Sequence, residues 1–343
     1  MELEIGLCTF ADLGDITPEQ RMTNLLEEAK LADRLGLDVF ALGEHHRADY
    51  VVSAPPVALA AIAAVTERIR LSSGVTVLSS DDPVRVFQQF STVDLISKGR
   101  AEIMAGRGSF IESFPLFGYD LNDYDALFSE KLDLLVELTR NPVVTRSGQL
   151  TQSLNNATIY PRPVQNPLPV WVAVGGTPQS VVRAASYELP LVLAIIGGEW
   201  HRFAPFTKLY RQVLAEAGKD TAKAPICINQ HCYIAEDSQQ ARDEFYPAHH
   251  GVFSRIGRER GWQPGGRAEF DAGCRPDGHL LVGSPQEVID KLCREWELFR
   301  NTRFMAQTSV GTLPHAKAMK SIELFATKVA PEVRRFVAAN SEN

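Results

Sequence analysis

The stretch Phe40-Ala41-Leu42-Gly43-Glu44-His45-His46 ends a short apolar run in a carboxylate and two imidazoles. Side chains of these types move protons, ligate metals or position polar substrates. The spacing works against a metal site, because adjacent residues on an extended strand point to opposite faces, and His45 and His46 share one ion only if the strand has already turned. A single pocket histidine in proton transfer or substrate positioning is the functional reading; a buried histidine without chemistry is the plain alternative. A second set is Gly175-Gly176-Thr177-Pro178-Gln179-Ser180. Glycines let backbone approach a ligand, proline fits a first helical turn, and the Thr177 and Ser180 hydroxyls join free N–H groups at a helix start, the ingredients of a phosphate site. An ordinary capped turn between strand and helix uses the same residues. Arg107, between Gly106 and Gly108, is placed to reach the same phosphate or a ring carbonyl, or to form a structural ion pair.

These groups need a frame that brings strand ends together. Residues 3–8 alternate as a strand, Thr17-Pro18-Glu19 starts a helix, and Gly36 stops it before a strand at 38–43. The unit repeats, with further helix starts at Pro55-Pro56, Asp82-Pro83 and Ser284-Pro285. Candidate strands begin near residues 3, 38, 69, 100, 169, 191, 226 and 303. Eight strands alternating with helices predict a parallel sheet closed into one (β/α)8 TIM barrel spanning residues 1–343, with a doubly wound open sheet as runner-up. No G-x-G-x-x-G follows the first strand, which weakens the runner-up. Two insertions interrupt the pattern. Residues 141–168 suggest a hairpin around Ser147-Gly148, and 245–280, rich in glycine, proline and charge, reads as a long lid loop.

In a barrel, the strand carboxyl ends build the site. They offer Glu44, His45 and His46; Thr76 and Ser79; Gly106, Arg107, Gly108 and Ser109; Gly175, Gly176 and Thr177; Gly197 and Gly198; Asn229 to His231; and Gln307 to Gly311. Phe110, Phe114 and Phe117 suggest an apolar chamber, although such aromatics more often belong to a core.

The bulk numbers fit a soluble globular protein with small-molecule partners. The chain has 343 residues, 45% hydrophobic and 22% charged, with a net charge of −7. Scattered basic residues argue against nucleic acid, and the lack of an apolar run near 20 residues argues against a membrane span. With no basic leader, a cytoplasmic protein is expected. Cys8, Cys227, Cys232, Cys274 and Cys293 are odd in number and carry no CxxC pairing, as for reduced, buried thiols.

Glu44-His45-His46, the run from Thr76 to Arg85, Asp94 to Arg100 with Gly106-Arg107-Gly108, Gly175-Gly176-Thr177, Gln307 to Gly311 and Ser321 to Phe325 occur in the order seen in luciferase-like flavin-dependent monooxygenases, which the chain resembles from first strand to last helix. The resemblance implies a TIM barrel using reduced FMN and O2 to oxidise a small, apolar organic substrate. It further implies a separate NAD(P)H:flavin reductase and a homodimer. His45 matches the family's catalytic histidine and Arg107 its phosphate-contacting arginine, with Gly175, Gly176, Thr177 and Ser180 in the phosphate turn and Gly197 and Gly198 on the next strand end. A non-proline cis peptide beneath the flavin ring would fall at Gly74 and Val75, beside Thr76. The light-emitting relatives' reactive cysteine has no clear counterpart here. Hydride transfer on the deazaflavin F420, flavin binding without turnover, and a metal hydrolase are the competing readings.

Overall fold

The computed structural model describes residues 3–108, 110–222 and 224–341. Eight parallel strands close into a barrel: β1 (Glu4–Thr9), β2 (Val39–Leu42), β3 (Arg70–Ser73, resuming at Thr76–Val77), β4 (Ala101–Gly106), β5 (Val170–Val174), β6 (Leu191–Ala194), β7 (Ile226–Ile234) and β8 (Arg303–Ser309). Closure is explicit in the register, since β8 pairs with β1 at Glu4↔Arg303 and with β7 at Cys227↔Arg303. The TIM barrel expected from strand counting is therefore the fold. Among the described residues no helix is long and apolar enough to cross a membrane.

The helix starts follow from local chemistry. Thr17 accepts a hydrogen bond from the Gln20 N–H at 3.3 Å, Asp82 from Arg85 at 2.9 Å and Ser284 from Glu287 at 3.4 Å, each with proline next in the chain. Lys98 closes its helix in the left-handed conformation, φ 59°.

Strand alternation sorts the side chains into two layers. Leu7, Phe40, Ile103, Val172, Ile228 and Phe304 face the surrounding helices, and Cys8, Ala41, Met104, Trp171, Cys227 and Met305 fill the interior. At the amino-terminal floor Arg303 of β8 reaches across to Glu102 of β4. The Arg303 Nε also donates to Glu4 at 2.7 Å, Arg70 Nε donates to Glu102 at 3.0 Å, and the Arg303 guanidinium lies over Trp171 at 4.1 Å. These contacts plug the floor, so ligand chemistry is confined to the opposite mouth.

Residues 141–168 contain the expected hairpin, Val144–Arg146 antiparallel to Leu154–Ala157. The Glu130 carboxylate holds its turn by accepting from the Thr151 hydroxyl and from the N–H groups of Gln149, Leu150 and Thr151, which together lower its pKa to about 2. The lid loop expected at 245–280 is corrected. A 23-residue helix, Ser238–Arg260, runs through its first half, followed by the helix Arg267–Cys274 and the short strand Leu281–Gly283 against β7. Ala241, Phe245, Ala248, His249 and Val252 form its buried stripe, which carries the helix past Pro247.

The floor pair makes a pH-dependent contribution. The Arg303 and Arg70 charges hold the buried Glu102 carboxyl below its ordinary range. Its stabilisation is complete above the unfolded value of about 4.3 and is lost as pH falls through the lower folded value. Glu102→Gln is expected to cost about 3 kcal/mol at pH 7, with the gap from the parent narrowing on acidification. Urea unfolding at both pH values checks this.

Candidate active site at the barrel mouth

Beyond β2 the two histidines part company. The His45 N–H donates to the Val52 carbonyl at 3.0 Å, and its ring packs among Phe10, Tyr50 and Phe110 at centroid distances of 4.7, 4.3 and 5.2 Å. His45 Nε2 is buried without a hydrogen-bond partner. His46 turns the other way, donating to Glu44 at 2.9 Å and meeting Phe117 edge-on. The second Glu44 oxygen accepts the Val77 N–H at 2.9 Å, so one carboxylate ties the end of β2 to the resumed segment of β3. Among the described residues no cluster of three or more His, Cys, Asp or Glu is arranged to hold a metal ion.

Between the two segments of β3 the Gly74–Val75 peptide is cis. Val75 packs over the glycine of β4: a Cβ added at Gly106 would lie 2.7 Å from its side chain. Close approach is thus what glycine provides at 106. Val75, Phe10 and Ala173 cap the interior cluster and give the mouth an apolar bed. Thr76 Oγ1 and Ser79 Oγ are buried beside it without partners.

The phosphate-type residues also converge. Arg107 donates to Ser180 Oγ at 3.3 Å, and Thr177 Oγ1 donates to the same oxygen at 2.8 Å. With its hydroxyl so engaged, Thr177 makes no side-chain cap on the helix Pro178–Ser186. A Cβ at Gly175 would meet nothing within 4 Å, and Gly176 has φ 113°. Arg107 is also paired with the exposed Asp125 at 2.5 Å. Gly197 and Gly198 sit on the adjoining rim after β6, where the Gly198 carbonyl accepts from His279 Nδ1 at 3.1 Å; no hydrogen bond among the described residues joins them to Arg107. Ser109 lies outside the described residues. Phe110 belongs to the His45 cage, Phe114 is core, and Phe117 is exposed.

Burial, with the charges of Arg47 and His46 adding to it, pushes the His45 pKa down to about 3. At neutral pH the ring is therefore uncharged and offers the hydrogen bond or lone pair of a neutral imidazole. The helix Ser238–Arg260 secures this wall: Glu259 pairs with Arg47 at 2.5 Å and Arg255 with Asp49 at 2.7 Å. It also brings in His249, which sequence reasoning missed because its segment was read as a loop. A surface groove of about 670 Å³ beside Cys293 and Phe336 lies in the outer helices and shares no residue with the mouth.

Residues 1–300 match the model of the luciferase-like monooxygenase family. The chain belongs to that family. Limonene 1,2-monooxygenase of Rhodococcus erythropolis is 26% identical over 318 residues, 89% of this chain and 80% of that protein. The alkanal monooxygenase alpha chain of Aliivibrio fischeri is 23% identical, covering 87% and 89%. Among solved structures, monooxygenase RslO1 from Streptomyces bottropensis superposes with a TM-score of 0.83 at 25% identity, covering 96% of this chain and 99% of that one. The oxygenating constituent of 3,6-diketocamphane monooxygenase from Pseudomonas putida, solved with FMN, gives 0.79 at 18% identity with 96% and 98% covered. An F420-dependent secondary alcohol dehydrogenase gives 0.74 at 19% identity with 97% and 99% covered. The last two likenesses are of fold alone.

The mouth's electrostatics have a direct readout. In a histidine NMR titration, His45 is expected to show no protonation between pH 8 and about pH 4, whereas His315, whose pKa the Glu28 and Glu27 carboxylates raise, titrates above the ordinary value. A His45 transition near pH 6.5 would contradict the buried cage.

Proposed function

We propose that this family member is an FMN-dependent monooxygenase that oxidises a small, largely apolar organic substrate with O2. The observation that carries the reading is the convergence of Arg107, Thr177 and Ser180 at an uncapped helix start beside the open Gly175. A guanidinium and two hydroxyls beside a helix start suit a phosphate monoester, and the missing Cβ leaves room for its approach. The bed at Val75, Phe10 and Ala173 suits a flat ring, and the unpartnered Thr76 Oγ1 suits a polar ring edge. Gly197 and Gly198 would leave the rim open beside the phosphate turn.

Reduced FMN, when bound, supplies the electrons that activate O2. The protein's share is to bind, shield and position. Arg107 and Ser180 would anchor the phosphate, and Phe10, Tyr50 and Phe110 would exclude water beside His45. Neutral His45 would hold or relay a proton at Nε2, and Glu44 would keep that wall in register with β3 through Val77. On this reading a separate NAD(P)H:flavin reductase delivers the reduced flavin, and the enzyme works as a cytoplasmic homodimer.

Anaerobic titration with reduced FMN tests the reading, with riboflavin and F420 as comparators. FMN is expected to bind best. Arg107→Ala should weaken FMN roughly 10- to 100-fold while leaving riboflavin unchanged. Preference for F420 would transfer the site to hydride chemistry, and no binding of either would end the flavin reading. His45→Gln should retain FMN while substrate-dependent oxygen consumption falls roughly a hundredfold; unchanged consumption would remove His45 from the mechanism.

A further inference from the structure

A group of polar side chains on the β7–β8 side of the mouth has no part in the steps above. On β7, Cys227 packs inside the barrel while Ile228 and Cys232 face the helices. The two-residue period of a strand then puts Asn229 and His231 on the interior face. On β8, Met305 is interior and Phe304 and Ala306 are outer, so Gln307 is interior as well. His231 and Gln307 are register partners. The helix Ser238–Arg260 then lays His249 edge-on against His231, with centroids 5.5 Å apart, and stacks it on Phe253 at 4.4 Å. Asn229 Oδ1, His231 Nδ1, Gln307 Oε1 and His249 Nε2 are buried and all lack a hydrogen-bond partner. Native proteins satisfy nearly all such atoms, with protein, water or ligand, so their concentration at one place calls for a guest.

We propose that His231, Gln307, Asn229 and His249 form a substrate subsite that takes the hydroxyl of a neutral aromatic alcohol of the phenol class. A hydroxyl both donates and accepts. It matches a set that offers amide oxygens as acceptors and imidazole nitrogens that donate or accept according to tautomer. Phe245 and Phe270 join Phe253 around His249, at 5.7 and 5.3 Å, and supply the apolar wall that a flat ring needs. The set suits an uncharged guest. Only other histidines act electrostatically on these two, His279 on His231, and His231, His279 and His250 on His249. Burial lowers His231 to about 3 and His249 to about 2, so both are neutral at neutral pH. A carboxylate buried here would find no counter-charge among these side chains. The assignment rests on the monooxygenase reading for its place in a reaction, and on the unpartnered atoms for its chemistry.

Naphthol, naphthalene and naphthoate, titrated by fluorescence into the full-length protein with and without oxidised FMN, test the subsite. Naphthol is expected to bind about tenfold or more tightly than either of the others. His231→Phe should reduce that preference to about twofold, and Gln307→Leu should do the same if the first variant does not fold, with FMN affinity unchanged in each. Equal binding of naphthol and naphthalene, preference for naphthoate, absence of naphthol binding in both states, or a preference untouched by the variants would overturn the proposal. The flavin reading fails separately. A protein that prefers naphthol but binds no FMN keeps this subsite and loses that reading, whereas one that binds FMN without a naphthol preference does the reverse.

Discussion

The contact on which the rest depends is the ion pair that crosses the barrel floor. Arg303 stands on the last strand and Glu102 on the fourth, opposite each other, and both are all but inaccessible to water. Charges so deeply buried are tolerable only when paired and further bonded. Arg70, Glu4 and the face of Trp171 provide that. The pair ties distant parts of the chain across the sheet's diameter. Above it, Cys8, Met104, Cys227 and Met305 complete the fill, and every strand's carboxyl end is delivered to one rim.

The two sides of the rim differ in how their chemistry is covered. On the β4–β5 side Arg107 lies near solvent, ion-paired with the exposed Asp125. On the β7–β8–β1–β2 side, the long helix Ser238–Arg260 and the rings of Phe10, Tyr50 and Phe110 shut out water, and burial leaves His45, His231 and His249 uncharged. On the proposed reading, a flat cofactor with an anionic tail and an uncharged substrate would divide between the two sides. Glu44 joins the division to the fold, because the same carboxylate that turns His46 away from His45 also fixes the backbone of Val77.

The barrel was legible because its signals are local: alternating apolar runs, and proline after a capping residue at Thr17, Asp82 and Ser284. The convergence of Arg107 with Thr177 and Ser180 was legible only through barrel topology, since no local rule joins residues 73 apart. The helix Ser238–Arg260 was lost because Pro247 and its many charges dilute the stripe of Ala241, Phe245, Ala248 and Val252, and His249 was lost with it. Neither the neutrality of His45 nor the Glu44–Val77 bond could be read from spacing. The first depends on rings from three separate segments, and the second on where a strand breaks.

One structure bears on the central claim most directly: crystals of the protein soaked with FMN. The phosphate should lie within hydrogen-bonding distance of Arg107 and Ser180, with the ring against Val75 and His45 beside it. A phosphate bound elsewhere, for instance in the outer groove beside Cys293, or a ring remote from Val75, would contradict the assignment of the mouth as the flavin site.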